Sequence, residues 1–424
     1  MLSFVHLSDI HFHKFSGDRY DVDEDLRNEM KIDIQTEYPK YIENSAGILV
    51  CGDIAFSGQI KEYQIAKQFL KEILSSIGLS ETDVYCVPGN HDVDQSIPKK
   101  EPAVYGMQKM LEEQSDHNKL DEAMANIFHS SISKKAIYAP IDCYNSEFAA
   151  QYSCDLTIDK PYWEKSLMLT DTYELLLCGI NSTIISNADD HKDRKVERKM
   201  KISHHQLPKR KTNTIHMTLC HHPLECWFDP NNELSNILKE RVPIQLFGHK
   251  HLQTIWSDEK TIIIGSGATH PSRREPNWIP RYNWLTIDII SNARPCLEVK
   301  IYPRVWNGTR FVCDEANCSI VAGQKTNYHV ALLDISETVS STKNTPIQAT
   351  TKIGADWKRP FVYSFINLPS AYRQLILERL ELFSPENDEG KKHSEIVKDI
   401  ISRAEAKKCV QQLIEEVNKY KEAQ

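Results

Sequence analysis

No stretch of this chain approaches the roughly 18 consecutive apolar residues that a membrane-spanning helix needs, which argues against a membrane protein. The one apolar run near the start is broken by Asp9 and His11, so it does not read as a secretory leader. Basic residues are not in excess: 51 Lys and Arg stand against 59 Asp and Glu, a net charge of −8, and no basic coat for a polyanion results. The 11 cysteines form no CxxC pair, and Cys51, Cys86, Cys178 and Cys220 fall within strand-like apolar runs. They read as small, reduced core residues of a cytoplasmic protein. Internal repeats and low-complexity tracts are absent too. Hydrophobic residues make up 40% of the 424, enough to build a core, which excludes wholesale disorder.

What is present is an α/β rhythm. Short β-rich runs cover residues 3–8, 47–51, 83–87, 174–179, 214–220 and 243–247. Helical patterns separate several of them, notably 61–76, where Tyr63, Ala66, Phe69, Leu70, Ile73 and Leu74 keep near-3.6 spacing, and 231–240. After His251 the runs at 254–256, 261–265, 283–290, 297–306 and 310–313 follow one another without helices and read as a β meander. The length allows two or three units. Residues 1–335 read as one α/β domain, interrupted at about 94–166 by an insertion with helical pattern at 104–113 and 120–132 and the aromatics Tyr138, Tyr144, Tyr152, Tyr162 and Trp163. Such an insertion is either a lid or binding element, or packing on the rim. A polar linker at 336–360 leads to a helical module at 361–424, whose apolar stripes supply either its own core or an oligomer or partner face.

Hard oxygen and imidazole donors sit at the carboxyl ends of the expected strands, where α/β sheets gather their ligands. The first strand ends in Asp9-Ile10-His11, the second in Gly52-Asp53, the third in Gly89-Asn90-His91-Asp92. Two later strands end in His221-His222-Pro223 and Gly248-His249-Lys250-His251. Two divalent cations about 3.5–4 Å apart need a bridging carboxylate and mixed N/O donors on each side. Asp53 can bridge; Asp9, His11 and one late histidine would complete one ion, Asn90 and two other histidines the second. With no thiolate among them, these donors do not describe a closed structural zinc site. Gly52, Gly89 and Gly248 are expected to permit the turns that aim the donors inward.

These motifs, in this order, resemble the calcineurin-like metallophosphoesterase superfamily over residues 1–315, nearest to its cyclic-nucleotide phosphodiesterase-type branch; residues 7–11, Gly58 with Glu62-Tyr63, 87–92 and His221-His222-Pro223 carry the latter likeness. The resemblance implies a four-layer α/β/β/α sandwich. It implies one metal at Asp9, His11, Asp53 and His251 and a second at Asp53, Asn90, His221 and His249. Mn²⁺ is the first expectation, with Fe, Ni or Zn as alternatives. It further implies hydrolysis of a phosphodiester, in a nucleotide or related substrate, by a hydroxide shared between the two ions. His91 is then placed to protonate the leaving oxygen, and Asp92 to hold the His91 ring. His222, Arg273 and Arg274 are candidate substrate contacts, and His13 could edge the cleft. His6 is expected to be packed, and His204 and His205 solvated. Two alternatives remain: a DNA or RNA nuclease of the Mre11/SbcD-like kind, and a metal-binding scaffold whose C-terminal helices recruit a protein partner.

Overall fold

A computed structural model describes residues 1–335 except 20, 158–159, 192–198, 274–278, 292–294 and 322; of the rest it describes 361, 365, 376–377, 379–380, 382, 393–407, 409–410, 412–414 and 416–417. The chain divides into two compact units, Met1–Thr342 and Lys343–Gln424. The first unit is an α/β sandwich of two sheets. One sheet has the order β12-β11-β10-β1-β2-β3, with β15 also on β11: β1 (Leu2–Leu7), β2 (Ser45–Cys51), β3 (Val84–Val87), β10 (Arg281–Ser291), β11 (Pro295–Trp306), β12 (Phe311–Cys313) and β15 (His329–Asp334). The other runs β4-β5-β6-β7-β9-β8: β4 (Tyr162–Met168), β5 (Glu174–Ile180), β6 (Thr214–Leu219), β7 (Ile244–Phe247), β8 (Thr254–Ser257) and β9 (Ile262–Gly265). A separate hairpin joins β13 (Ile320–Val321) and β14 (Gln324–Lys325).

Strands β1, β2 and β3 are mutually parallel, as are β5, β6, β7 and β9. Parallel strands covered on both faces should be apolar throughout, and β2 and β3 are buried nearly end to end. The pleat of β6 and β7 separates two cores. Ile215, Met217, Leu219, Ile244 and Leu246 pack with Phe4, Ile48 and Val50 of the first sheet. On the other face, Cys220 and Phe247 meet Leu234 and Leu238 of a later helix, Glu233–Arg241.

Two helices cover the outer face of the first sheet: α1 (Glu24–Thr36) and α2 (Ile60–Ser76). The α2 stripe foreseen from spacing is buried, and Glu62 caps its start by accepting from Gln59 N–H and Ser57 N–H at 3.0 Å each. α1 escaped the apolar pattern because its inner face is partly charged: Arg27 pairs with Asp21, and Asp33 pairs with Arg304 and Tyr282. β4 was hidden as well, since only Trp163 of its residues is buried; the insertion therefore ends before 166. It holds α3 (Ser96–Lys100), α4 (Pro102–Glu112), α5 (His117–His129), α6 (Ser131–Tyr138) and α7 (Asp142–Glu147); the helix at Glu233–Arg241 is then α8. The run expected at 120–132 is two helices, because Ser130 leaves helical geometry to cap α6 by accepting from Ser133 N–H. Tyr138, Tyr144, Tyr152 and Trp163 are buried, with Tyr144 Oη 3.4 Å from Cys86 Sγ and Trp163 Nε1 donating to Cys86 O at 2.8 Å. Tyr144 ties the insertion to β3, and Trp163 ties β4 to it.

The expected linker at 336–360 lies outside the described residues. Within the second unit, α9 (His393–Ala406) packs Val397, Ile400, Ile401 and Ala404 with Phe361, Phe365, Ile376, Leu413 and Val417 in a core of its own. No described helix is long and apolar enough to cross a membrane.

Candidate metal centre

The seven expected donors converge. β1, β2 and β3 deliver Asp9, His11, Asp53 and Asn90 from one sheet, and β6 and β7 deliver His221, His249 and His251 from the other. Asp53 lies at the middle: its Oδ2 is 3.3 Å from both His11 Nε2 and His221 Nε2. On one side His251 Nε2 is 3.3 Å from Asp9 Oδ1. On the other, Asn90 Oδ1 is 3.0 Å from His221 Nε2 and 3.1 Å from His249 Nδ1. Among the described residues four overlapping groups, Asp9-His11-His251, Asp9-Asp53-His221, His11-Asp53-His91 and His221-His222-His249, each bring one ligand atom per residue within 4.8 Å of the others.

The backbone here is unusual. Asp9, His11, Asp53, His249 and His251 all have φ between 51° and 69°, five of the nine described non-glycine residues in that region. Left-handed backbone at such residues is sparsely populated and clusters at functional sites. Hydrogen bonds hold it: Ile10 N–H and His11 N–H both donate to Asp53 O at 2.9 Å. Gly52 needs its freedom, at φ 82°. Gly89 serves by its lack of a side chain, since a Cβ there would lie 2.1 Å from Asp53 Oδ1.

The charges frame a demand for cations. Burial alone would raise the Asp53 carboxyl, but the imidazoles of His221 and His91 and the bonds from His11 and His221 hold it well below the usual range. Asp9 is likewise lowered against its burial, through His251 and His221. Burial opposes protonation of His221, yet Asp53 and then Asp9 lift it to about 9. His221 Nδ1 faces Cys51 O at 2.9 Å and donates to it, which aims Nε2 at Asp53 and Asn90. Carboxylate and amide oxygens and imidazole nitrogens thus face one another at close range without thiolate, and a divalent cation among them would take the place of the imidazole protons. The donor set fits such ions.

The remaining candidates fall out unevenly. His91 lies at the edge, its ring 4.9 Å from that of His11, and its backbone N–H donates to Asp53 Oδ1 at 2.8 Å. Asp92 does not hold the His91 ring, contrary to expectation. Its carboxylate is fully buried and accepts from Ala55 N–H, Gly89 N–H and Ile54 N–H, at 2.9, 2.9 and 3.2 Å, and from Tyr63 Oη at 3.1 Å. Burial and the Asp53 charge push it up to about 7. The His91 ring is held instead by Phe56 O, 2.8 Å from Nδ1. The chain turns at Asn90–Asp92 so that His91 and Asp92 face opposite ways.

His222 is buried, with Nδ1 2.8 Å from Ser182 Oγ and its ring 4.4 Å from that of His249; burial and the neighbouring His249 and His221 hold its pKa well below the usual value. It therefore packs beside the cluster rather than pointing away along the strand. Arg273 is engaged with Asp23, at 2.6 Å from Nε, and with Val22 O. Arg274 lies outside the described residues. His13 belongs to a group with Asp21 and Asp23. His6 is packed between Cys51 and Asn283, as expected, whereas His204 is paired with Asp121 and Glu233 and not simply solvated. Phe56 and His270 escaped the sequence reading, and Tyr63 entered it only through the α2 stripe and the family likeness. Phe56 stands three residues past the Gly52-Asp53 motif, whereas His270 follows none of the motifs named above.

A family model for calcineurin-like phosphoesterases matches residues 2–253. Among curated proteins, the uncharacterized metallophosphoesterase-like protein YydB of Bacillus subtilis is 31% identical over 103 residues, 23% of this chain and 18% of that protein. The match thus spans under a fifth of that relative. Among solved structures, Vacuolar Protein Sorting 29 of Cryptosporidium parvum aligns over 78% of this chain and 97% of its own at 10% identity and a TM-score of 0.33. A putative 5′-nucleotidase of Staphylococcus aureus aligns over 82% and 56% at 14% identity and a TM-score of 0.32.

Proposed function

This chain belongs to the calcineurin-like phosphoesterase family, and from that premise we propose that it is a dinuclear metal-dependent phosphodiesterase acting on a nucleotide or related phosphodiester. The observation that carries the reading is Asp53, whose carboxylate stands between two donor sets, 3.3 Å from a histidine of each. Asp9, His11, Asp53 and His251 would hold one divalent ion; Asp53, Asn90, His221 and His249 would hold the other. Ions held there supply polarisation of the phosphoryl oxygens and a water acidified toward neutral pH.

The chain's own groups do the rest. Asp53 and Asp9 contribute two negative charges beside five neutral donors, His11, Asn90, His221, His249 and His251, which leaves room for an anionic diester. His91 donates from Nδ1 to Phe56 O, which fixes the ring, and Nε2 is the nitrogen proposed to protonate the leaving oxygen. Asp92 gathers the backbone of Ile54, Ala55 and Gly89, and so holds the strand-end turns that carry Asp53 and His91 in register. Purified protein supplied with Mn²⁺ should hydrolyse bis(p-nitrophenyl) phosphate, lose that activity on chelation and regain it on re-addition, with two ions bound per chain. Failure with each of Mn²⁺, Fe²⁺, Ni²⁺ and Zn²⁺, or retention of a single ion at most, refutes the proposal.

A further inference from the structure

The turn Asp9-Ile10-His11 carries two of the seven proposed ligands, and both have φ of 52°. Such backbone persists only where the surroundings over-determine it. Besides the Asp53 carbonyl, which holds the Ile10 and His11 N–H groups, restraint comes from a segment 260 residues further along. Thr269 N–H donates to Ser8 O at 2.8 Å, and His270 N–H donates to Asp9 O at 3.1 Å. The side chain of His270, only 5% exposed, completes the hold: its Nδ1 is 3.1 Å from Ile10 O, and its Nε2 is 3.2 Å from Asp23 Oδ2. A carbonyl oxygen can only accept, so Nδ1 is the donor to Ile10. Asp23, at the start of α1, is in turn held by Arg273, the residue that spacing alone had suggested for substrate.

We infer that His270 is a positioning residue for the metal centre: it ties down the Ile10 carbonyl so that Asp9 and His11, on either side, present their side chains to one cluster. Asp23 and Arg273 set the ring. The inference rests on the reading of that cluster as a metal centre. It also accounts for the His13-Asp21-Asp23 group, whose donor atoms lie within 4.8 Å of one another. Both carboxylates there already face a side chain that can neutralise them, Arg27 for Asp21, and His270 with Arg273 for Asp23. The group is a latch over the turn and not a third cation site. Outer partners of metal ligands are worth about 10–100-fold in metal affinity or activity.

Two substitutions of similar packing cost separate this role from a merely structural one. In His270→Asn the amide nitrogen takes the place of Nδ1 and keeps the bond to Ile10 O, while the contact with Asp23 is lost. In His270→Gln it takes the place of Nε2, and the reverse holds. Mn²⁺ titration by calorimetry, with ion counts per chain after dialysis against graded chelator, should show binding weakened about tenfold or more in the Gln variant. The Asn variant should stay within about threefold of wild type, and the metal-free variants should melt alike. Equal Mn²⁺ affinity in the two variants, or wild-type affinity in the Gln variant, overturns the inference. Should the wild-type chain itself retain no Mn²⁺, the reading of the centre falls and this inference with it; two ions bound with no Asn–Gln difference leaves that reading standing and removes only the role of His270.

Discussion

At the scale of single residues, chemistry divides between side chains that sit among the donors and those that face away from them. Asp53 and His91 have different proposed roles yet touch, through the His91 N–H on Asp53 Oδ1. Asp53→Asn is expected to lower bound metal below two ions per chain, read by elemental analysis. His91→Ala is expected to keep both ions and lose about 10²–10⁴-fold in turnover, the usual worth of a positioned proton donor; unchanged turnover removes His91 from the chemistry. Asp23 gives a pH test. Burial would raise its carboxyl, but His270 and then Arg273 bring it down to about 2. Its contribution to stability is therefore present above about pH 4 and lost as pH falls toward 2. For a half-buried, partly screened carboxylate that is about 1 kcal/mol. Asp23→Asn should melt below wild type at neutral pH, and the gap should close between about pH 4 and 2; a gap constant with pH contradicts the assignment.

At the scale of elements, α2 ties stability to the site. Glu62 is buried and accepts from Ser57 N–H, Ser57 Oγ and Gln59 N–H, and so fixes the end of the loop whose Phe56 carbonyl holds the His91 ring. Glu62→Ala strands those donors and should cost about 1–3 kcal/mol in denaturant unfolding. It should also lower turnover with metal content unchanged, because His91 loses its anchor while the donors keep theirs. Metal loss in this variant would show that the loop acts on the centre as a whole. Elements also mark where pattern reading succeeds. α2 and the parallel strands were legible because their buried faces are apolar; α1 and β4 were not, because ion pairs satisfy the inner face of one and the other is largely uncovered.

At the scale of the whole molecule, net charge bears on substrate size. A chain at −8 gains no general attraction to a polyanion. Hydrolysis of mononucleotide diesters is accordingly expected to exceed that of single- or double-stranded DNA and RNA, with a shallow dependence on salt. A steep fall in rate with rising salt would favour a nuclease. All seven proposed ligands, His91 and His270 lie within Met1–Thr342, which has its own core. A chain ended after Thr342 should therefore fold and hydrolyse bis(p-nitrophenyl) phosphate within about threefold of the full protein, after allowance for the modest spread of independent effects. Loss of activity would assign the C-terminal unit a part in the site.

The donors of the proposed metal centre were readable from the chain alone, because each is bound to a short local motif at a strand end, and strand ends are set by nearby residues. Which way Asp92 turns, what Arg273 holds and why His270 matters were not. Those depend largely on contacts across 29 to 260 residues, and besides Tyr63 and Asp23 the partners are backbone carbonyls or amides that every residue type carries alike. Pattern can rank side chains by chemistry; only packing selects which anonymous peptide group each one meets.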